Sequence, residues 1–162
     1  ASRGDQRRTP MSERIAVFPG SFDPVTIGHV SIVERALPLF DRIVLAIGVN
    51  TTKKYMFPVE QRLGWLRATF VGHKQVEVMA FEGLTADLCK RMKARYIVRG
   101  LRNSTDHGSE RSIALMNHVL AGVDTIFLPA LPEHAHISST IVRELIANKA
   151  DVSAFVPGAV RP

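Results

Sequence analysis

Two hydrophobic rhythms alternate along the chain. Short runs rich in β-branched residues, "RIAVF" (14 to 18), "RIVLAIGV" (42 to 49), "VEVMA" (76 to 80), "YIV" (96 to 98) and "TIFL" (125 to 128), read as strands. Between them the apolar positions recur at helical spacing, predicting helices near 27 to 39, 58 to 71, 85 to 94, 109 to 120 and 139 to 148. Pro58 suits a helix opening because its φ is fixed and it has no amide to lose, and Thr85 and Ser138 or Ser139 are candidate N-caps. Five strands separated by helices imply parallel strands joined by right-handed crossovers, with helices covering both faces of one five-stranded sheet. The fold class is therefore doubly wound α/β. Ligands of such sheets sit beyond the carboxyl ends of the strands, which directs attention to the loops starting at Pro19, Asn50, Phe81, Arg99 and Pro129.

Size changes this picture little: 162 residues with 46% hydrophobic content suit a single domain over residues 11–162. Residues 1–10, "ASRGDQRRTP", have no apolar period and precede Met11, so they read as a leader or expression remnant, without the apolar core of a secretory signal. The longest apolar stretches are short or broken by charge, which predicts a soluble protein with no membrane partner. Cys89 is the only cysteine, so no internal disulfide can form, in keeping with a reducing cytoplasm. The formal charge is +6, but Arg3, Arg7 and Arg8 against Asp5 in the leader leave about +4 on the rest. Two tyrosines and one tryptophan, not interleaved with basic residues, offer no platform for single-stranded nucleic acid. Small anions remain the better partners for the positive charge.

Candidate chemistry gathers in the five loops. In "FPGSFDPVTIGH" (18 to 29), Gly20 and Ser21 can bring bare backbone close to a ligand, and a helix beginning near Thr26 to Gly28 turns free amides and the positive end of its dipole toward it. Thr26 and His29 share one helix face, Gly28 leaves room for a phosphate or a flat base, and the imidazole can donate to a phosphate oxygen as charge builds there. An ordinary turn with His29 as a satisfied helix residue is the competing reading.

In "NTTKKYMF", Lys53 and Lys54 are either a solvated pair or, for Lys53, a mobile cation over the anion site. In "FEGLTAD", Gly83, Leu84 and Thr85 offer amides suited to an extended substrate. In "VRGLRNSTD", Arg99 and Arg102 can clamp a polyphosphate with forked hydrogen bonds, or else pair with acids such as Asp106. In "HISSTIVRE", Ser138, Ser139 and Thr140 set hydroxyls and amides at a helix start, a second anion-binding terminus. Walker, dinucleotide-binding and nucleophile-elbow motifs are absent, as is any zinc-type His/Cys spacing; His134 and His136 read as loop histidines rather than metal ligands. This equipment positions phosphates and neutralises charge, the requirement of in-line nucleotidyl or phosphoryl transfer.

In their order and spacing, "PGSFDPVTIGH", "KKYMF", "VRGLR" and "ISSTIVRE" closely resemble the bacterial phosphopantetheine adenylyltransferases, from about Ile15 to Pro157. The resemblance implies a Rossmann-like nucleotidyltransferase fold and the reaction of ATP with 4′-phosphopantetheine to give dephospho-coenzyme A and pyrophosphate. Magnesium would be carried mainly by the ATP phosphates, with no protein metal ligands. It assigns catalysis to His29, Lys53 and Arg102. ATP would be bound by Ser21, Phe22, His29, Arg102, Glu110, Asn117, Ser138, Ser139 and Thr140, and the acceptor by Ser21, Lys53, Gly83, Leu84, Thr85 and Arg99. It further implies a cytoplasmic homohexamer restrained by coenzyme A.

One departure stands out. Relatives usually read Asp-Phe-Glu-Tyr-Glu where this chain has "DHGSE", so Asp106 and Glu110 persist while His107, Gly108 and Ser109 replace two aromatics and an acid. Gly108 should loosen a helix by about 1 kcal/mol relative to a good helix former. The nearest alternative is a transferase acting on nicotinate mononucleotide or glycerol phosphate, but those families carry a histidine at the position of Thr26 and lack R-G-L-R. A non-catalytic nucleotide- or RNA-binding module is the alternative from another class.

Overall fold

The computed structural model describes residues 12–162, without the side chains of Ser104 and Thr105; the leader expected over residues 1–10 lies outside the described residues. Five strands, β1 (Ile15–Gly20), β2 (Arg42–Gly48), β3 (Val76–Phe81), β4 (Tyr96–Leu101) and β5 (Asp124–Pro129), form one sheet in the order β3-β2-β1-β4-β5. Every pairing is parallel. The helices are α1 (Ile27–Ala36), α2 (Val59–Thr69), α3 (Thr85–Met92), α4 (Ser104–Ala121) and α5 (Ser139–Ala147). The architecture is the Rossmann-like, doubly wound α/β arrangement that the alternating pattern predicts.

Strand residues alternate between two cores, as a pleated sheet requires. Ala16, Phe18, Ile43, Leu45 and Ile47 join Ile32, Val33, Leu66 and Val142 on the face covered by α1, α2 and α5. Ile15, Val17, Val44, Ala46 and Ile97 join Leu88, Cys89 and Val123 on the other. The first core also takes Val152, Val156 and Val160 of the C-terminal segment, whose Phe155 carbonyl accepts from the Ile27 amide at 3.0 Å. Among the described residues no helix is long and apolar enough to cross a membrane.

Several expected boundaries shift: β1 and β4 run on to Gly20 and Leu101, so Pro19 and Arg99 are strand residues and not the starts of loops. Pro58 is the N-cap of α2 rather than its first turn, and Leu84 precedes α3, so Thr85 is a helical residue and not a cap. Ser138, not Ser139, caps α5, accepting from the Ile141 amide at 3.2 Å. α4 starts five residues earlier than the apolar period suggests, because the Asn103 side chain caps it by accepting from the Asp106 amide at 3.0 Å. The polar first turns of that helix carry no hydrophobic period to read.

Candidate active site

The site begins where the sheet comes apart. β1 and β4 pair only at Ala16↔Tyr96 and Val17↔Ile97, so beyond that point the two central strands diverge toward their carboxyl ends. Their crossovers run in opposite directions, which makes this gap the switch point at which doubly wound sheets bind ligands. Arg99 bridges it, donating to the Pro19 carbonyl at 2.6 Å.

The loop from β1 to α1 explains its unusual composition by what it touches. The Ser21 carbonyl accepts from Arg62 at 2.7 Å, the Asp23 carbonyl from Arg143 at 2.9 Å, and the Pro24 carbonyl from the Ser139 hydroxyl at 2.9 Å. The buried Asp23 carboxylate accepts from the Met56 and Phe57 amides at 2.8 and 3.0 Å. Loops after β1 and β2 and the start of α5 are thereby tied to one short segment whose carbonyls are satisfied by side chains rather than by sheet or helix. Phe22 takes a positive φ of 44° and folds its ring back beneath Gly20, where an added Cβ would meet it at 3.0 Å. Gly20 therefore serves the aromatic ring.

That ring in turn supports His29, at a centroid distance of 4.9 Å. Thr26 caps α1, and the Thr26 amide donates to Nδ1 of His29 at 3.0 Å, a capping box with histidine as its third member. An Nδ1 that accepts from an amide leaves the proton on Nε2. Burial, then the charges of Arg99 and Arg102, pull the imidazole pKa down from 6.5 to about 4. At neutral pH His29 is thus a neutral donor of fixed tautomer.

Two cavities open around this centre. One, of about 420 Å³, runs between the sheet and α4, from Gly20 and Lys53 past Phe81, Gly83 and Thr85 to Ile113, Asn117 and Thr125. The other, of about 320 Å³, lies over His29, with Gly28, Arg102, Ser138, Thr140 and Arg143 in its walls. Ser21, Lys53, Arg99 and Glu110 line both. Arg99 meets Glu110 with a forked pair of bonds at 3.0 and 2.6 Å, and Arg102 pairs with Asp106 at 3.3 Å. Two ligand-sized spaces sharing a cationic wall suit the meeting of two anionic reactants.

Comparison with known proteins gives this geometry its lineage. The cytidylyltransferase-like family profile matches residues 17–145. A phosphopantetheine adenylyltransferase of Christiangramia forsetii is 50% identical over 90% of this chain and 97% of its own length. Another from Flavobacterium psychrophilum is 51% identical over 91% of this chain and 98% of its own. The chain belongs to the phosphopantetheine adenylyltransferase family. It is accordingly a nucleotidyltransferase enzyme. A bifunctional NMN adenylyltransferase/ADP ribose pyrophosphatase from Francisella tularensis, solved with AMP and a manganese ion, shares the fold at TM-score 0.68 and 19% identity, over 93% of this chain and 45% of that one.

Most of the residues to which the sequence points line the two cavities: His29, Arg102, Ser138, Ser139 and Thr140 the second, Gly83 and Thr85 the first, and Ser21, Lys53, Arg99 and Glu110 both. Three are placed differently. Asn117 lines the first cavity and not the one over His29, because it lies almost two turns beyond Glu110 along α4. The Phe22 side chain is 2% exposed and packs under the imidazole, lining neither. Leu84 is 57% exposed and lines neither, although Gly83 and Thr85 on either side of it line the first.

The arginines are neither free clamps nor mere surface pairs, since each lines a cavity while holding an acid. Of the three hydroxyls at α5, that of Ser138 caps the helix and that of Ser139 donates to Pro24; that of Thr140 accepts from Arg143 at 3.2 Å. Asp23, Tyr55, Arg62 and Arg143 join the site without a role assigned to them from the sequence. Arg143 lies three residues after Thr140, a helical spacing that points to it; Asp23 and Arg62 declare themselves through contacts distant in sequence, and Tyr55 through the cations around its ring.

Proposed function

We propose that the enzyme transfers the adenylyl group of ATP to 4′-phosphopantetheine, giving dephospho-coenzyme A and pyrophosphate in coenzyme A biosynthesis. The observation that carries this reading is the shared wall: Ser21, Lys53, Arg99 and Glu110 stand between one cavity over His29 and a second that runs under α4. ATP, with its magnesium as part of the substrate, takes the cavity over His29. In this reading the ion's ligands are the phosphates themselves, Glu110 and Asp106 being engaged by arginines. The pantetheine arm takes the slot lined by Gly83, Thr85, Ile113 and Asn117.

The acceptor's phosphate oxygen attacks the α-phosphorus in line, the bond to the β-phosphate breaks, and pyrophosphate carries away the electron pair. No covalent enzyme intermediate is required, because the nucleophile is already an anion. The chain's task is to overcome the repulsion between two anions and hold them aligned. Lys53 and Ser21 orient the attacking phosphate, and Arg99, anchored on Glu110 and Pro19, faces the acceptor side. Neutral His29 donates from Nε2 to the α-phosphate as its charge grows, without adding a fixed cation in the ground state. Arg102 and the start of α5, where the amides of Ser139 and Thr140 have no intrahelical partners, hold the departing phosphates.

The exposed apolar side chains Ile113, Leu115, Met116, Val119 and Leu120 on α4 support self-association, and the assembly we propose is the family's homohexamer, working in the cytoplasm under feedback by coenzyme A. The function is tested by pyrophosphate release with magnesium and ATP, offering 4′-phosphopantetheine, nicotinate mononucleotide and glycerol phosphate separately. Release with 4′-phosphopantetheine alone is expected; release with either other acceptor overturns the assignment.

A further inference from the structure

Lys53 is exposed and carried on a loop, yet it must stand at the junction of the two cavities. The loop backbone is pinned on both sides of it. Asn50 Oδ1 accepts from the Thr52 amide and hydroxyl at 3.0 and 2.7 Å, and Asp23 holds the amides of Met56 and Phe57. Between these pins sits Tyr55, partly buried, its hydroxyl donating to the Gly48 carbonyl at 3.3 Å and its side chain lining the slot under α4. The Arg62 guanidinium lies 4.2 Å from the ring centroid, and Lys53 Nζ lies 5.5 Å from the same centroid.

Arg62 is itself anchored by burial and hydrogen bonds. It is 2% exposed and donates to Phe57 and Ser21 carbonyls at 2.9 and 2.7 Å. Burial lowers its pKa, against which the neighbouring Asp23 and Tyr55 act to raise it. A buried guanidinium whose fork is satisfied by two carbonyls is a rigid support for an aromatic ring. The negative face of that ring attracts a cation and narrows the rotamers of the lysine that carries it.

We infer that Tyr55 is a positioning residue for Lys53: its ring, fixed by Arg62 and the Gly48 carbonyl, holds the ammonium group where the acceptor's phosphate arrives. The inference rests on the acceptor reading above and deepens it, because the chemistry recognised through Tyr55 is a phosphomonoester and not the arm attached to it. Tyr55 also lines the slot, so simple packing against the arm is the competing account. Packing affects acceptors with and without the phosphate equally, whereas positioning of Lys53 affects only the first.

The test measures calorimetric dissociation constants for 4′-phosphopantetheine and for pantetheine, which has the same arm without the phosphate. Their ratio is compared in the unmodified enzyme, Tyr55→Leu, Tyr55→Met, Lys53→Ala and the Lys53→Ala/Tyr55→Leu double variant. The two aliphatic replacements fill space differently, so a folding defect in one, read from its thermal transition, leaves the other. Tyr55→Leu or Tyr55→Met is expected to lower the phosphate preference about fivefold, the size of a modest cation–π contact. Tyr55→Leu should change nothing further once Lys53 is alanine. A preference that survives loss of the ring, or that falls again in the double variant, overturns the role of Tyr55. An unmodified enzyme with no phosphate preference overturns the acceptor reading itself.

Discussion

His29 meets its substrate with its protonation state already chosen. The Thr26 amide occupies Nδ1, Phe22 supports the ring from below, and burial, then the charges of two arginines, keep a proton off it until the pH falls to about 4. A donor prepared in this way helps only as charge develops, so its loss should appear in turnover. His29→Ala is expected to lower kcat about 10²- to 10³-fold, the range for a single donor to a developing charge, while the dissociation constant for ATP changes only severalfold. Steady-state kinetics beside equilibrium titration of ATP would separate the two, and comparable losses in both would refute a transition-state role. The residues of this centre were legible in sequence because T-x-G-H follows a strand and opens a helix. The support given by Phe22 was not, since nothing local encodes the positive φ that folds its ring under the imidazole.

At the scale of elements, α4 shows how a departure from the family pattern is accommodated. Asp106 and Glu110, four apart, sit on the side of the helix that meets Arg102 and Arg99, while His107, Gly108 and Ser109 are exposed. The replaced positions are therefore the ones whose side chains hold no arginine. Gly108 nevertheless lies inside the helix, and an added Cβ there would meet nothing within 4 Å. Gly108→Ala is expected to stabilise the protein by roughly 0.5 to 1 kcal/mol, measured by urea unfolding, with both ion pairs intact. By contrast Gly100→Ala places a Cβ 3.2 Å from Ile32 Cγ1, pressing β4 against α1 beside the cavity over His29, and should destabilise. The first effect follows from the sequence, which already sets Gly108 at the start of a helix; the second does not, since nothing local brings Ile32 against Gly100.

For the whole molecule, element order was legible because buried parallel strands write continuous apolar runs. Strand order and the opening between β1 and β4 were not, since nothing local encodes which way a crossover turns. The ties that assemble the site have the same character: Pro19 to Arg99 spans 80 residues and Asp23 to Arg143 spans 120. Because the site draws on most of the chain, its protonation is coupled to global stability. His29 has a folded pKa near 4 against 6.5 for an ordinary histidine, so the unfolded chain takes up this proton first as the solution is acidified. Its contribution to stability is intact above pH 6.5, is lost progressively as the pH falls from 6.5 to 4, and changes no further below that. Urea unfolding of the unmodified protein and of His29→Ala across this range isolates the effect, because other titrating groups are common to both. The stability difference should move in favour of the alanine variant as the pH falls. A difference that stays constant from pH 7 to 4 would mean that the folded imidazole takes up its proton as readily as the unfolded one, and the neutral donor on which the catalytic reading depends would be lost with it.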